Sequence, residues 1–475
     1  MKNIIVFLLD TARATDVYGN RALTNINSIA TKGTVYESAI APGSWTAPSH
    51  ASMFTGRLVS QIPGVSMDFF NNGTYKIDPW MVKTKFLNGY EGTVAGRLGD
   101  LGYKSVLMSN NPFVTSFTNL GAGFDKVFDI WMQSNVKYNK SLADRFSFVL
   151  NSGPDGKMRL YKTVNTLTRF MPKKVFDDLY LSLRISLDRG VARTDGTHML
   201  DRGVEDTIAA LKNYIKHEYD YRDHFVFINL IEAHENYPID DDEIVQDKWL
   251  YMSGILNIGE DLLKKLHRGY LSRLKYLDKG VGKMISILKS AGLLEDALVI
   301  ITSDHGQFFG EHNLLYHSLF PYNEEITVPL IYAEYLNGKQ VRSGKIMQQT
   351  VSLKDFGTEL GKSAKAGKEP IWIKSGNLVI SEHTGISEGW DEALLIMLKK
   401  RSENANSIYM AKKANNVKAT AAFYNGMKLM HFSDGRKDEL YDMRKDPIEA
   451  NNIIDKKRAD AHYILGKLKR MTTSV

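Results

Sequence analysis

The sequence predicts an α/β protein with a large, mainly parallel or mixed central sheet flanked by helices, and a smaller antiparallel subdomain at its C-terminal end. Three observations carry this. Short, nearly continuous apolar runs rich in β-branched and aromatic residues recur, as expected of strands covered on both faces. Helical patterns separate them. After about Ser363 the rhythm changes to short segments suited to antiparallel strands.

Taken in order, Ile4–Leu9 (IIVFLL) is the first expected strand. It ends at Asp10 without a small-residue cleavage site, so the N-terminus reads as a buried strand and not as a signal peptide. Tyr103–Ser109 (YKSVLMS), His224–Ile231 (HFVFINLI) and Ala297–Thr302 (ALVIIT) follow. Asp206–Tyr219 and Leu271–Gly292 carry helical patterns between them. Residues 137–202 interrupt the alternation; Phe176–Arg189 (FDDLYLSLRISLDR) has an amphipathic pattern, so this block is expected to be a helical insertion. NLVISE, AAFYNGMKLMHF and DELYDM then predict short strands, and Lys456–Met471 a closing helix. The expected organisation is an α/β domain over 1–362, with its insertion at about 137–202, and an α+β subdomain over 363–475.

Composition narrows the chemistry. The 475 residues include no Cys, which excludes disulfides, thiolate ligands and a Cys nucleophile. No apolar run approaches the ~20 residues that span a bilayer, and a cytoplasmic location is expected. The formal charge is +7, and residues 137–195 hold 12 Lys and Arg against 6 Asp and no Glu. That segment suits an anionic substrate, a peripheral lipid contact or a solvated helical face; nucleic acid is not an expected partner.

Ligands of open α/β sheets bind beyond the carboxyl ends of the strands, so the residues there matter most. They are Asp10, Thr11 and Arg13; Asn110 and Asn111; Glu232 and His234; and Ser303, Asp304, His305 and Gly306. Carboxylates, imidazoles and amides on one rim suit a divalent metal with oxygen and nitrogen ligands. The stretch GSWTAPSHASMFTG, 43–56, adds a Thr just ahead of a short helix with Pro48 in its first turn. Alone, it reads most economically as a capped helix. Beside a metal, the Thr46 hydroxyl would ionise more readily, next to helix amides that favour an anion. Phosphoryl or sulfuryl transfer needs that combination.

With these residues assembled, the chain resembles the sulfatase family of the alkaline phosphatase superfamily. FLLDTARATDVYG resembles the family's metal-binding opening, and TAPSHASMFTGR its Cys/Ser-x-Pro-x-Arg signature. IEAHENYP is similar to the His-x-Pro-Tyr segment, TSDHGQFFGEHNLLYHSLFPYNEEITVPLI to the second metal-binding block, and DELYDMRKDPIEANNI to the C-terminal subdomain. The resemblance implies an alkaline phosphatase-like fold and one divalent ion (Ca, Mg, Mn or Zn) on Asp10, Asp304, His305 and Thr46. It implies Thr46 as nucleophile, with His50, His234 and His317 as further catalytic residues. Asn110, Asn111, Arg13 and His312 would contact substrate. A second metal would draw on Glu232, His234, His312, His317 or His383.

The departures are chemical. Thr11 stands where many sulfatases have a second Asp, His50 where the signature has Arg, and His317 about where many have Lys. Thr46 cannot become formylglycine, whose sulfate ester leaves by elimination; a Thr ester needs direct hydrolysis. The expected activity is therefore metal-dependent cleavage of phosphate or sulfate esters on a small-molecule, glycan or lipid anion. Two alternatives are a phosphodiesterase or phosphotransferase working through phosphothreonine, and a catalytically dead anion-binding homologue.

Overall fold

The structure is a computed structural model and describes residues 2–62, 92–116, 118–131, 200–220, 222–235, 237, 251, 258–366, 378–384 and 417–472. The expected helix at 176–189 and the basic segment 137–195 lie outside the described residues.

Strands β1 (Asn3–Leu9), β2 (Thr34–Ile40), β3 (Lys104–Ser109), β4 (Lys126–Asp129), β5 (His224–Leu230) and β6 (Asp296–Thr302) precede a small hairpin of β7 (Phe308–Phe309) and β8 (Leu315–Tyr316). β9 (Thr327–Val328), β10 (Leu330–Leu336), β11 (Lys339–Gln340) and β12 (Lys345–Ser352) follow. Among the described residues the central sheet has ten strands, ordered β12-β2-β10-β6-β1-β5-β3-β4, with β9 beside β2 and β11 beside β10. β6, β1, β5, β3 and β4 pair in parallel. β10 runs antiparallel to both β6 and β2, so the sheet is mixed. β2 and β12 lie toward one edge, where half-exposed residues break the apolar run that marks the central strands in sequence.

All seven residues of β1 are buried. Its alternate side chains serve opposite faces. Ile4, Val6 and Leu8 join Phe54, Phe227 and Phe356 on one side. Ile5, Phe7 and Leu9 join Leu274, Val281 and Met284 of the Glu260–Ser290 helix on the other. Full burial of such side chains is worth about 1.5–3 kcal/mol each, which fixes the sheet between its helices. This helix begins eleven residues before the expected Leu271: Glu260 and Asp261 sit in its first turn, and the apolar stripe already starts at Leu262.

The C-terminal sheet is antiparallel in the order β13 (Val379–His383), β14 (Ala419–Tyr424), β15 (Met427–Phe432) and β16 (Glu439–Asp442). Asn425 and Gly426, both at positive φ, make the two-residue turn between β14 and β15. The Arg458–Thr472 helix covers this sheet with Ile464 and Leu468. The Phe356–Ala366 helix runs across residue 362, where a boundary was expected.

The C-terminal sheet is tied to the rest of the fold by polar contacts. Ser60 donates to both Glu382 oxygens, through its amide at 2.9 Å and its hydroxyl at 2.7 Å. Lys428 Nζ lies 2.6 Å from Glu449 Oε1, both side chains fully buried, and donates to Asn323 Oδ1 at 3.2 Å. Removing one member of such a pair strands a charge out of water. Lys428→Met is therefore expected to cost about 3–5 kcal/mol in denaturant unfolding, and Lys428→Met/Glu449→Gln to recover most of it. Among the described residues no helix is long and apolar enough to cross a membrane.

Candidate active site

β1 and β6 are parallel neighbours, so they deliver Asp10 and Asp304 to the same rim. Asp10 extends the β1–β5 ladder, its amide donating to Leu230 O at 2.9 Å. Thr11 then turns through φ 62, a conformation that strains a β-branched residue by about 1–3 kcal/mol. The turn aims the Thr11 amide at Asp304 Oδ1, 3.4 Å away. The His305 amide donates to the same oxygen at 3.0 Å.

His305 donates from Nδ1 to Gly306 O at 2.8 Å. This fixes the tautomer and leaves Nε2 facing Asp304 Oδ2 at 3.6 Å and Asp10 Oδ1 at 3.9 Å. Those two carboxylate oxygens are buried and have no hydrogen-bond partner. Burial raises both carboxyls from 3.8 to about 7; for Asp10 the neighbouring Asp304 charge raises it further, against His305 and Asn111. Two partnerless oxygens converging on an imidazole lone pair are the donor set of a divalent cation site, so the residues fit the ion that the family resemblance implies.

Thr46 is the first residue of the Thr46–Thr55 helix, not the residue ahead of it; Trp45 occupies the cap position and makes no side-chain capping bond. The Thr46 side chain turns instead into the cluster, with Oγ1 3.4 Å from His305 Nε2 and 3.4 Å from Asn111 Nδ2. Pro48 is the third helical residue, and Gly56 ends the helix at φ 78. Asn111 is locked: its Oδ1 accepts from the Phe113 amide at 2.7 Å and its Nδ2 donates to Asp10 Oδ2 at 2.5 Å.

His50 lies one turn along the helix and is fully buried. Its Nδ1 donates to Thr46 O at 2.9 Å, and its Nε2 accepts from Asn229 Nδ2 at 2.9 Å. Desolvation pushes its pKa down to about 3. Burial thus favours a neutral imidazole under Thr46, with Nδ1 also 3.4 Å from Asp304 Oδ2. Asn229 was not foreseen, although it is the one amide in the apolar run HFVFINLI. Asn229→Leu is expected to lower kcat while leaving KM within about two-fold, with a stability cost of about 1–3 kcal/mol from the stranded imidazole; steady-state kinetics and denaturant unfolding check it.

A second group adjoins the first. His234, on the segment after β5, and His317, after β8, face each other with ring centroids 4.6 Å apart, and His317 lies 4.8 Å from His305 by the same measure. Glu235 Oε2 lies 3.2 Å from His234 Nδ1 and 3.1 Å from His317 Nδ1. Desolvation holds His234 well below the ordinary imidazole range. Glu235 was also missed; it directly follows His234.

The remaining candidates point elsewhere. Asn110 Oδ1 accepts from the Thr207 hydroxyl at 2.9 Å. Arg13 pairs with Asp16 at 3.1 Å and Glu311 at 2.8 Å. His312 stacks on Tyr322 at 3.9 Å and faces Glu324 at 3.4 Å. Glu232 accepts from the amides of Arg202 and Val204 at the start of the Val204–His217 helix. His383 bonds the Ser44 hydroxyl at 2.8 Å, bracing the loop before Thr46.

The fold and family have counterparts among known proteins. The family model described as Sulfatase matches residues 2–365. The chain is 26% identical to an N-acetylglucosamine-6-O-sulfatase of Bacteroides thetaiotaomicron over 45% of its own length and 38% of that protein's. It is 22% identical to an arylsulfatase of Clostridium perfringens, over 43% and 38% of the two chains. These alignments thus span under two-fifths of either relative. The fold matches a phosphonate monoester hydrolase of Agrobacterium radiobacter with a TM-score of 0.61 and 15% identity, over 99% of this chain and 95% of that one. The chain belongs to the sulfatase family.

Proposed function

We propose that the chain hydrolyses esters of tetrahedral oxyanions, phosphate and phosphonate ahead of sulfate, through a covalent ester on Thr46. One observation carries the reading. The Thr46 hydroxyl opens a helix and sits 3.4 Å from the His305 lone pair, beside two carboxylate oxygens without hydrogen-bond partners.

A divalent ion held by Asp10, Asp304, His305 and Thr46 would lower the hydroxyl pKa and draw charge from the ester. The chain's own groups do the rest. The Asn111 amide holds Thr46 Oγ1 in place, and the helix amides favour the ester anion. His50 and Asn229 fix the Thr46 backbone from below. Oγ1 gives its proton to water and forms a bond to the central atom, while the bond to the alcohol oxygen breaks with its electron pair on that oxygen, on the side of His234 and His317, and the alkoxide takes a proton from water. Water then cleaves the Thr ester. A phosphate ester of Thr can be hydrolysed in this way, whereas a sulfate ester lacks the elimination open to formylglycine, which sets the preference for phosphorus.

The test is turnover of aryl phosphate monoesters and diesters, aryl phosphonates and aryl sulfates with added Ca, Mg, Mn or Zn. Cleavage of phosphorus esters that stops with chelator, and a peptide phosphorylated at Thr46 trapped by acid quench, support the reading. Faster sulfate than phosphorus turnover overturns the preference; no turnover with any metal overturns the activity. Product formed only when an alcohol is supplied would make the enzyme a phosphotransferase.

A further inference from the structure

Residues 232–235 follow β5 and belong to no helix or strand, yet all four of their carbonyls accept from side chains. Arg273 Nη1 donates to Glu232 O at 3.0 Å. The Tyr237 hydroxyl donates to Ala233 O at 3.1 Å. Arg202 Nη1 donates to His234 O at 3.1 Å and to Glu235 O at 2.9 Å. Most backbone carbonyls are served by backbone amides or by water, so four in a row served by side chains mark a segment whose place is specified.

The anchors are themselves tied down. The Glu232 carboxylate accepts from the amides of Arg202 at 3.1 Å and Val204 at 2.8 Å. Residue 202 and the 232–235 segment thus clasp each other, side chain to backbone in both directions. Arg273 is 4% exposed and sits beside Tyr270, Leu274 and Leu277 on the Glu260–Ser290 helix. A leucine would pack there at less cost, because a buried guanidinium is favourable only through its hydrogen bonds. Two of those bonds go to the carbonyls of Glu232 and, at 3.5 Å, His234. Gln307, two residues beyond His305, donates to the Tyr237 hydroxyl and lies 3.5 Å from Ala233 O. The segment is therefore referenced to the loop that carries Asp304 and His305.

What this holds in place is the His234 ring. Its Nδ1 donates to Glu235 O at 2.9 Å, the same oxygen that Arg202 engages. The proton is thereby assigned to Nδ1, and Nε2 is left as an acceptor. We propose that Arg202 and Arg273 are positioning residues for His234, setting its Nε2 to hold the water that protonates the departing oxygen. The proposal rests on the Thr46 reading above, in which the alcohol leaves on the side of His234. That water directs one hydrogen to Nε2 as a hydrogen bond and gives the other, as a proton, to the alkoxide. The hydroxide left behind is neutralised by the proton that Thr46 released. A leaving group that is already a weak base needs no such proton, so the arginines should matter for poor leaving groups alone.

The full chain is assayed with the same added metal on phenyl and 2,4-dinitrophenyl esters of whichever phosphorus acid wild type cleaves. Arg202→Met and Arg273→Met are expected to lower kcat for the phenyl ester by about 10–100-fold with KM within about two-fold, and kcat for the dinitrophenyl ester by less than about three-fold. His234→Ala should show the same selectivity for the phenyl ester, and Arg202→Lys should recover part of the loss. Bound metal and the acid-trapped peptide phosphorylated at Thr46 should persist in every variant. Equal losses on both esters, no loss on either, or a His234→Ala enzyme as fast as wild type overturns the positioning role and leaves the Thr46 reading standing. No turnover and no phosphorylated Thr46 in wild type overturns that reading, and the proposal with it. Thermal unfolding screens each variant; if Arg273→Met does not fold, the variants of Arg202, which is only half-buried, decide the matter.

Discussion

Thr46→Ala is expected to lower kcat/KM by at least about 10³-fold, on the scale of losing a covalent nucleophile, while the protein stays folded and keeps its metal. Stability should change by less than about 1 kcal/mol, because the hydroxyl caps no helix amide and its contacts, to His305 and Asn111, are both 3.4 Å. That pairing separates the two readings of this residue. A capping Thr gives the opposite result, a stability loss of about 1–2 kcal/mol with activity nearly intact. Thr46→Ser keeps an attacking oxygen and should retain most of the rate; Thr46→Cys should not. Kinetics on a phosphorus ester, denaturant unfolding and metal analysis on the same preparations decide the matter.

Removal of metal should destabilise the protein, and more so as pH rises. Asp10 and Asp304 stand at about 7 in the metal-free fold, against 3.8 ordinarily. Raised carboxyl values mean that the folded chain holds protons the unfolded chain has released. This opposes folding increasingly from about pH 4 to about pH 7 and is fully developed above that. At about 1.4 kcal/mol per pH unit and per group, the effect is on the order of several kcal/mol at pH 8. A cation cancels it by taking the place of the protons. Chelator should therefore depress the unfolding midpoint far more at pH 8 than at pH 5. Asp10→Asn should lose the metal yet, at pH 8, unfold at a higher midpoint than chelated wild type, since it removes a buried like charge beside Asp304. Equal depression at both pH values, or an Asp10→Asn protein less stable than the chelated one, counts against this account.

The parts legible in the sequence were those written in short contiguous runs. β1, β5 and β6 are buried on both faces and so read as unbroken apolar segments, and the residues following them could be placed on one rim by topology alone. Asp10, Asp304 and His305 come together there. What stayed hidden depends on side-chain direction. Asn110 and Asn111 are adjacent, yet the first serves Thr207 and the second serves Asp10 and Thr46. Arg13 follows the right strand but is drawn to Asp16 and Glu311. His50 was assigned a catalytic part from its place in the signature; its hydrogen-bond partner Asn229 lies 179 residues away in the chain. No spacing rule links residues so far apart in the chain. Glu235 escaped notice for a different reason: its role comes from His317, on another segment.

The braces between the two sheets have a consequence for how the molecule comes apart. His383 holds Ser44, Glu382 holds Ser60, and the Lys428–Glu449 pair holds Asn323, so the small sheet grips the chain on both sides of the Thr46 helix and beside the His317 loop. Heating should therefore give a single cooperative transition, with activity lost at the temperature where the small sheet melts. A fragment ending near residue 362 would keep Asp10, Asp304 and His305 and still lack a fixed nucleophile.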